Sequence, residues 1–241
     1  MNKKIEFLDS VAEFYDVTDK ANQFDYYYKK FHFQEISKNI VGKQVLELGC
    51  STGLSTFLLS QLDIYLTVVE GSKINIDKSN ENFEFNKNVK FINTLWEDFE
   101  SKEKFTDILL VDSFQLLENK KQLLKKYQNL LTAEGRFHLI FPNSNSLHRQ
   151  IGVEMGLIES LTEQSDMDKL VNSNQTLDWN SSRNLLTNFE FEIEKEIPIL
   201  LKPLDNKSML TLAEDQINAY FLIAKKYKDI CSHMYFVLKN V

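Results

Sequence analysis

A turn built from small residues is the clearest candidate for a ligand-binding loop. It consists of Glu47, Leu48, Gly49, Cys50, Ser51, Thr52 and Gly53. Gly49 allows the chain to turn tightly beneath a ligand, and Gly53 allows a following helix to begin close to the strand. Glu70 follows about twenty residues later, where nucleotide-binding folds place a carboxylate that accepts hydrogen bonds from ribose hydroxyls. The pattern therefore predicts a site for a nucleoside-containing ligand.

The same turn departs from the fingerprint of dinucleotide-binding proteins. That fingerprint has a further glycine where the backbone meets the pyrophosphate, and here Ser51 stands in its place. The charge of Glu70 also disfavours a 2′-phosphate on the ribose. The alternative for Glu70 is a structural one, in which it begins a turn with Gly71 and Ser72.

The turn lies in a chain that alternates between strand-like and helical segments. Strands are predicted at 43–49, 64–69, 89–92, 107–112 and 136–141, with helices at 54–60 and 120–131. This alternation predicts an α/β fold, a doubly wound and mostly parallel sheet with right-handed crossovers. Two late strands, 190–197 and 234–238, complete a seven-stranded sheet with an antiparallel edge.

The remaining segments predict helices and one domain. Apolar and aromatic residues recur at helical spacing from 10 to 40, which predicts an N-terminal helical cap, and 210–227 predicts an amphipathic helix. We expect a single domain over 1–241. It comprises the cap at 1–40, a cofactor-binding core at 41–142, and an acceptor-side segment with the C-terminal strands at 143–241.

Composition excludes several classes of protein. The 241 residues carry a net charge of −7, which argues against a nucleic-acid partner. The two cysteines, Cys50 and Cys231, are far apart and fit a reducing compartment. An apolar leader and a stretch of the roughly 20 apolar residues that span a bilayer are both lacking, which predicts a cytoplasmic protein without membrane insertion. The spacing of histidines and acids suggests no metal site.

Two of these segments resemble a known family. Residues 45–53 (VLELGCSTG) and 68–72 (VVEGS) look like the first two motifs of class I, Rossmann-like S-adenosylmethionine-dependent methyltransferases. The resemblance implies S-adenosylmethionine as cofactor and S-adenosylhomocysteine as product. It implies that the glycine turn holds the methionine and sugar moieties, together with Glu70, Gly71 and Ser72.

The resemblance extends to three further parts of the site. Trp96 and Glu97 are expected to border the adenine, and Trp96 has core packing as its alternative role. Asp112 and Ser113 are expected near the transferable methyl group. His32, on the predicted cap helix, is expected to face the carboxylate of the cofactor.

A narrower likeness follows Pro142. Residues 143–157 (NSNSLHRQIGVEMGL) are similar to a segment of UbiG-like or type 12 methyltransferases found among bacterial surface-glycan biosynthesis enzymes, and 201–204 (LKPL) adds to it. The acceptor-binding candidates in this segment are Asn143, Asn145, His148 and Arg149.

His148 is the candidate general base, because it lies in a polar loop on the side where this fold places its acceptor. Capping of the next helix is its alternative role. Arg149 suits a phosphate or carboxylate of the acceptor, with a surface ion pair as its alternative. His138 is expected in the core, and His233 has no evident partner.

The chain also departs from these relatives. They often carry Leu-Glu-His where residues 115–117 read QLL, and Gly-His-Arg where 172–174 read NSN. Either His148 transfers the proton alone, the acceptor is already ionised, or the activity has drifted.

These residues lead to one functional hypothesis and two alternatives. The hypothesis is O-methylation of a small sugar-derived or anionic acceptor, such as a nucleotide-sugar or sugar phosphate, in bacterial capsule or lipopolysaccharide precursor synthesis. One alternative is a non-catalytic subunit that binds S-adenosylmethionine or its product. The other is a dinucleotide-dependent oxidoreductase, which Ser51 and the lack of a Tyr-xxx-Lys pair disfavour.

Overall fold

A computed structural model describes residues 3–14, 18–164, 169 and 177–240. The helices are α1 (Lys3–Phe14), α2 (Asp25–Ile36), α3 (Leu54–Ser60), α4 (Lys73–Asn82), α5 (Lys120–Gln128), α6 (Leu147–Glu154), α7 (Trp179–Asn188), α8 (Asn206–Met209) and α9 (Glu214–Ile223). The strands are β1 (Gln44–Leu48), β2 (Tyr65–Glu70), β3 (Val89–Asn93), β4 (Phe105–Val111), β5 (Leu131–Pro142), β6 (Phe191–Ile199) and β7 (His233–Asn240). Among the described residues, no helix is both long and apolar enough to cross a bilayer.

The strands form one sheet in the order β3-β2-β1-β4-β5-β7-β6. The pairings from β3 to β5 are parallel, whereas β7 is antiparallel to both β5 and β6. This confirms the predicted doubly wound, seven-stranded sheet with antiparallel pairing at one edge. The carboxyl ends of the six other strands therefore meet the amino end of β7 along one border, which we call the ligand edge.

Hydrophobic clusters cover both faces of the sheet. Leu46 and Leu110 belong to one buried cluster, and their neighbours Val45 and Leu109 belong to the other. Successive side chains of a strand point to opposite faces, so a strand that is apolar on both faces must lie in the middle of the sheet. The packing thus explains why β1 and β4 occupy the centre and present their last residues at the ligand edge.

The N-terminal cap differs from its prediction as one helix over 10–40. Two helices, α1 and α2, are separated by turns that the structure describes from residue 18. The side chain of Asp19 accepts hydrogen bonds from the backbone N–H groups of Ala21 and Asn22, both at 3.2 Å. Such local side-chain bonds compete with helix formation, so the chain turns here despite its helical spacing of aromatic residues.

The predicted helix over 210–227 is shorter than expected. Within that range the structure has α9, Glu214–Ile223, followed by a 3₁₀ turn at Ala224–Lys226. The Gln216 side chain accepts a hydrogen bond from the Ala213 N–H at 3.0 Å, which fixes the helix start at Glu214. The short helix α8 precedes it and begins where the Asp205 carboxylate accepts from the Ser208 N–H at 3.0 Å.

Candidate active site

The glycine turn adopts backbone conformations that favour glycine. Gly49 and Gly53 have φ angles of +87° and +94°. A Cβ on Gly53 would lie 2.8 Å from the Cβ of Ser79, so α3 and α4 approach each other only because that position is a glycine. Ser51, at φ +49°, is the non-glycine residue that shares this left-handed geometry within the turn.

Glu70 ends β2 and is joined to this turn by hydrogen bonds. One carboxylate oxygen accepts from the backbone N–H of Cys50 at 3.1 Å, and the other accepts from the N–H of Ser72 at 2.8 Å. The Glu70 side chain is buried, and burial raises the pKa of its carboxyl group. The two backbone N–H donors oppose that rise because they stabilise the ionised form. The turn and the carboxylate therefore converge on one point of the ligand edge.

The residues inside the turn are also buried. Glu47 accepts a hydrogen bond from the Thr56 hydroxyl at 2.7 Å, and burial raises its pKa to about 7. Burial raises the pKa of the Cys50 thiol well above its usual range, so it is protonated and unreactive at neutral pH. Thr52 is fully buried, and its carbonyl accepts from the Asn82 amide at 3.2 Å.

Helix α1 covers the part of the site expected to hold the adenosine. The Ser72 hydroxyl donates to the Asp9 carboxylate at 2.5 Å, and a Cβ on Gly71 would lie 2.8 Å from the Leu8 side chain. Lys4 forms an ion pair with the exposed Glu97. These contacts place α1 over the loops that follow β2 and β3.

Trp96 packs against the turn from the side of the β3 loop. Its indole N–H donates to the Val69 carbonyl at 3.2 Å, and a Cβ on Gly49 would lie 3.1 Å from the ring. The ring is partly buried against the core. Its core packing is evident, and a role beside adenine stays a prediction.

A second cluster surrounds Asp112, the residue after β4. Its φ angle is +57°, a conformation that costs energy for a non-glycine residue and is found at functional sites. One carboxylate oxygen accepts a hydrogen bond from Lys29 Nζ at 2.7 Å and lies 3.5 Å from His32 Nδ1. The other oxygen lies 3.5 Å from His233 Nε2. Ser113 is half-buried beside this cluster, and its hydroxyl donates to the Val111 carbonyl at 3.2 Å.

Both histidines of this cluster are neutral at physiological pH. Burial lowers the pKa of His32 to about 3 and that of His233 to about 4, although the Asp112 carboxylate opposes both shifts. Burial also acts on Asp112 by raising its pKa, but Lys29 and the two imidazoles outweigh it and hold the pKa well below its usual range. At neutral pH the cluster therefore combines an ionised carboxylate with two neutral imidazoles.

The acceptor side contains two polar groups without full partners. His148 lies in the first turn of α6, whose N-cap is Ser146, so the alternative of His148 as the cap is wrong. Its Nδ1 atom is buried and has no hydrogen-bond partner among the described residues. The Ser146 hydroxyl is also buried and also has no partner among them. Burial, and then the cations of Lys202 and Arg149, lower the pKa of His148 to about 2.

Lys202 lies after the carboxyl end of β6 and is 4% exposed. Its Nζ donates to the Asn206 side-chain oxygen at 2.5 Å, and no carboxylate of the described residues lies within 4.0 Å of it. Burial lowers its pKa to about 8, while Asp25 and Asp205 oppose that shift. At neutral pH it is mostly a cation.

The three other acceptor-side candidates have structural partners. The Asn143 amide donates to the Asp229 and Cys231 carbonyls at 3.0 and 2.8 Å, and its oxygen accepts from the Asn145 N–H at 3.0 Å. The Asn145 amide also donates to the Asp229 carbonyl, at 3.2 Å. Arg149 donates to the backbone carbonyls of Leu161, at 2.9 Å, and Glu163. Contact of these side chains with an acceptor stays a prediction.

The turn at 47–53 follows β1, where the strand order of the sheet reverses, and the Glu70 carboxylate lies beside it. This arrangement fits an adenosyl ligand. Each oxygen of Glu70 accepts one backbone bond, and Oε2 also accepts a weak bond from the Cys50 thiol at 3.8 Å, so Oε1 is the oxygen expected to accept from a ribose hydroxyl. The fold and this site define a class I, Rossmann-like methyltransferase that uses S-adenosylmethionine. The model of a methyltransferase domain family matches residues 40–193, and the chain belongs to that family.

Solved structures share the fold at low sequence identity. The CcbJ methyltransferase from Streptomyces caelestis is 14% identical with a TM-score of 0.61, over 94% of this chain and 100% of that chain. The plantazolicin methyltransferase BpumL in complex with S-adenosylhomocysteine (SAH) is 19% identical with a TM-score of 0.56, over 88% of this chain and 82% of that chain. The glycopeptide N-methyltransferase MtfA complexed with S-adenosylmethionine is 13% identical with a TM-score of 0.58, over 95% of this chain and 90% of that chain. No curated protein sequence matches the chain.

Sequence reasoning missed three residues of this region: Lys29, Lys202 and His233. His233 is remote in sequence from Asp112, and only the antiparallel direction of β7 brings its first residue to the ligand edge. Lys202 had a signal, since it lies in the 201–204 segment that carries part of the family likeness. Its burial without a carboxylate partner follows from the fold alone.

Proposed function

We propose that this methyltransferase O-methylates a small, sugar-derived acceptor that carries a phosphate or carboxylate group. The buried cation of Lys202 is the observation that supports it. An ammonium group removed from water without a carboxylate in direct contact is costly, and an anion on the acceptor offsets that cost when it binds. An acceptor anchored in this way is held in one orientation, which in-line attack on the sulfonium methyl requires.

His148 remains the proposed contact for the acceptor hydroxyl. Its unpartnered Nδ1 atom is suited to accept a hydrogen bond from that hydroxyl. A pKa of about 2 makes the imidazole a weak proton acceptor, so we propose that it orients the hydroxyl more than it deprotonates it. In the reaction the acceptor oxygen bonds to the methyl carbon, the carbon–sulfur bond breaks, and the hydroxyl proton is released.

Two further observations support the biosynthetic context. The likeness of 143–157 to type 12 enzymes favours a precursor of a bacterial capsule or lipopolysaccharide as the acceptor. The two cysteines are free and buried, which is consistent with a cytoplasmic location. The solved neighbours named for plantazolicin and for a glycopeptide make peptides the main competing acceptors.

The test is methyl transfer to matched pairs of acceptors. Purified protein and S-adenosylmethionine are incubated with sugar phosphates, uronates and nucleotide-sugars, each beside its neutral counterpart, and with small peptides. We measure S-adenosylhomocysteine release and the mass of the product. We expect turnover with anionic sugars and little with neutral ones. Equal turnover of neutral sugars, or turnover of peptides alone, contradicts the proposal.

Variants of two lysines distinguish a direct contact between Lys202 and the acceptor anion from a general effect of positive charge near the site. Lys202→Met is expected to raise the KM for an anionic acceptor about 10- to 100-fold, the equivalent of a lost charge-assisted hydrogen bond of about 1.5–3 kcal/mol. Lys207→Met is the matched control, because Lys207 is exposed in the adjoining α8. An unchanged KM in Lys202→Met removes the supporting observation. Cofactor binding without turnover of any acceptor instead favours a non-catalytic subunit.

A further inference from the structure

Three side chains from distant parts of the chain meet at the ligand edge. His32 comes from α2, Asp112 follows β4, and His233 begins β7. One ligand-type atom from each lies within 4.8 Å of the other two, and the two imidazole rings are 5.1 Å apart between centroids. The grouping therefore brings together two nitrogens and a carboxylate oxygen, although the three residues are far apart in sequence.

The spacing of these atoms suits an ion placed between them. His233 Nε2 is 3.5 Å from Asp112 Oδ1, whereas His32 Nδ1 is 3.5 Å from Oδ2, the oxygen that Lys29 also contacts. An ion with ligand bonds of about 2.0–2.2 Å holds tetrahedral ligands about 3.3–3.6 Å apart. The 3.5 Å between His233 and Oδ1 matches that spacing and is long for a direct hydrogen bond between an imidazole and a carboxylate. Shared ligation through Oδ1 therefore fits this pair better than direct pairing.

Three polar atoms of this cluster also lack partners in the described part of the chain. His32 is 1% exposed, and neither of its ring nitrogens has a hydrogen-bond partner among the described residues. Asp112 Oδ1 is buried and unpartnered in the same way. Buried polar atoms without partners are rare in folded proteins, and an ion, a ligand or an ordered water accounts for most of them. Their coincidence at one point is independent of the distances.

We infer that His32, Asp112 and His233 bind a divalent transition-metal ion of the zinc type. Two neutral imidazoles and a carboxylate form a ligand set that zinc and its neighbours in the first transition series accept. Lys29 donates to Asp112 Oδ2 at 2.7 Å, which leaves the unpartnered Oδ1 as the oxygen for the ion and orients the carboxylate from outside the ligand set. Three protein ligands leave one coordination position open.

This open position gives the site a use that rests on the proposed function. Asp112 follows β4, near the expected position of the transferable methyl group. An acceptor hydroxyl in the fourth position would lose its proton to water more readily, since a zinc-type ion lowers the pKa of a bound oxygen. The oxygen then bonds to the methyl carbon, and the carbon–sulfur bond breaks with its electron pair on sulfur. No strong protein base is needed in this scheme.

The test measures metal binding alone, without methyl donor or acceptor, so its failure is distinct from failure of the proposed function. Full-length protein is stripped with a chelator and titrated with Zn²⁺ by calorimetry, and Co²⁺ is added separately to record its visible absorption. We expect one equivalent of Zn²⁺ and the intense absorption of four-coordinate Co²⁺. Absence of binding overturns the inference.

Variants then test the ligand assignment. His233→Asn and Asp112→Asn are each expected to weaken Zn²⁺ binding at least tenfold, and the matched control His148→Asn is expected to leave it unchanged. Lys29→Met is expected to weaken Zn²⁺ binding, because the Asp112 carboxylate loses the group that orients it. Thermal unfolding of each variant checks that it is folded. Wild-type affinity in a folded His233→Asn variant overturns the inference, as does equal weakening in His148→Asn.

Discussion

The carboxylate of Glu70 accepts a hydrogen bond from the backbone N–H of Cys50 at 3.1 Å. The bond ties the end of β2 to the turn that follows β1, two strands that are neighbours in the sheet. Because the Ser72 N–H holds the other oxygen at 2.8 Å, the carboxylate is fixed on both sides. A ribose that binds here meets a group already in place, and this lowers the entropic cost of binding.

Replacement of Glu70 by Gln is therefore expected to weaken S-adenosylmethionine binding by about 1–3 kcal/mol. The amide keeps the shape of the side chain but replaces one acceptor oxygen by an NH₂ donor. That donor then faces a backbone N–H or a ribose hydroxyl, so a hydrogen bond is lost. Calorimetric titration measures the change. Glu81→Gln, on the exposed surface of α4, is the control, and thermal unfolding without ligand separates a loosened turn from a lost contact. Equal affinities of the two variants would remove Glu70 from the site.

The convergence of the glycine turn and Glu70 could be predicted because these residues are local in sequence. Residues 47–53 and Glu70 belong to one β-turn-α-β unit, and their spacing alone places them at neighbouring strand ends. The Asp112 cluster could not be predicted in this way. His233 reaches it only through the antiparallel insertion of β7 between β5 and β6, which no local pattern encodes.

The fold was predictable where a segment carries a regular apolar pattern. The predicted helix at 54–60 coincides with α3, and all seven predicted strands overlap observed ones. Helices α4 and α7 were missed because they are polar, with only Ile76 and Ser79 buried in α4. Their starts are set instead by side-chain caps, such as the Ser72 hydroxyl, which accepts from the Asn75 N–H at 3.2 Å.

Glu47 makes stability depend on pH. Burial raises its pKa from 4.5 to about 7, so the folded state holds its proton more tightly than the unfolded state does. This contribution is fully present below pH 4.5 and is lost as pH rises from there to about 7. Glu47→Gln should therefore be more stable than the wild type at pH 8, by up to about 3 kcal/mol, and nearly equal to it at pH 4.5.

Urea unfolding of both proteins between pH 4.5 and pH 8 measures this difference. Glu103→Gln is the control, because Glu103 is exposed, and its stability should follow the wild type at every pH. A stability gap for Glu47→Gln that does not grow with pH would show that Glu47 is ionised in the folded state throughout this range.

Contacts between α1 and Ser72 are expected to slow cofactor release. Asp9 accepts a hydrogen bond from the Ser72 hydroxyl at 2.5 Å, so its loss frees the helix that covers the adenosine side. Asp9→Ala should release S-adenosylhomocysteine several-fold faster, in line with a lost bond of about 1 kcal/mol. Stopped-flow displacement measures the rate. Glu6→Ala, at an exposed position of the same helix, should release it at the wild-type rate, and identical rates for both variants would exclude α1 as a cover.

Asp107 forms a buried network that joins the chain before β1 to the centre of the sheet. It is fully buried, and its two oxygens accept from the Val41 N–H at 3.0 Å, the Gly42 N–H at 3.0 Å, the Thr106 hydroxyl at 2.8 Å and His138 Nε2 at 2.9 Å. Because a carboxylate only accepts, His138 carries its proton on Nε2, and its Nδ1 accepts from the Tyr235 hydroxyl at 2.7 Å. His138 is thus the core residue that its apolar strand predicts.

Asp107→Asn should accordingly lower the free energy of unfolding by about 3 kcal/mol. The amide nitrogen faces groups that are themselves donors, which leaves at least one of them buried without an acceptor. Asp63→Asn is the matched control, since the Asp63 side chain is 88% exposed and its ion pair with Lys43 should contribute less than about 1 kcal/mol. Urea unfolding at pH 7 compares them. A loss in Asp107→Asn no larger than in Asp63→Asn would mean that the connection from α2 to β1 is held by packing and not by this carboxylate.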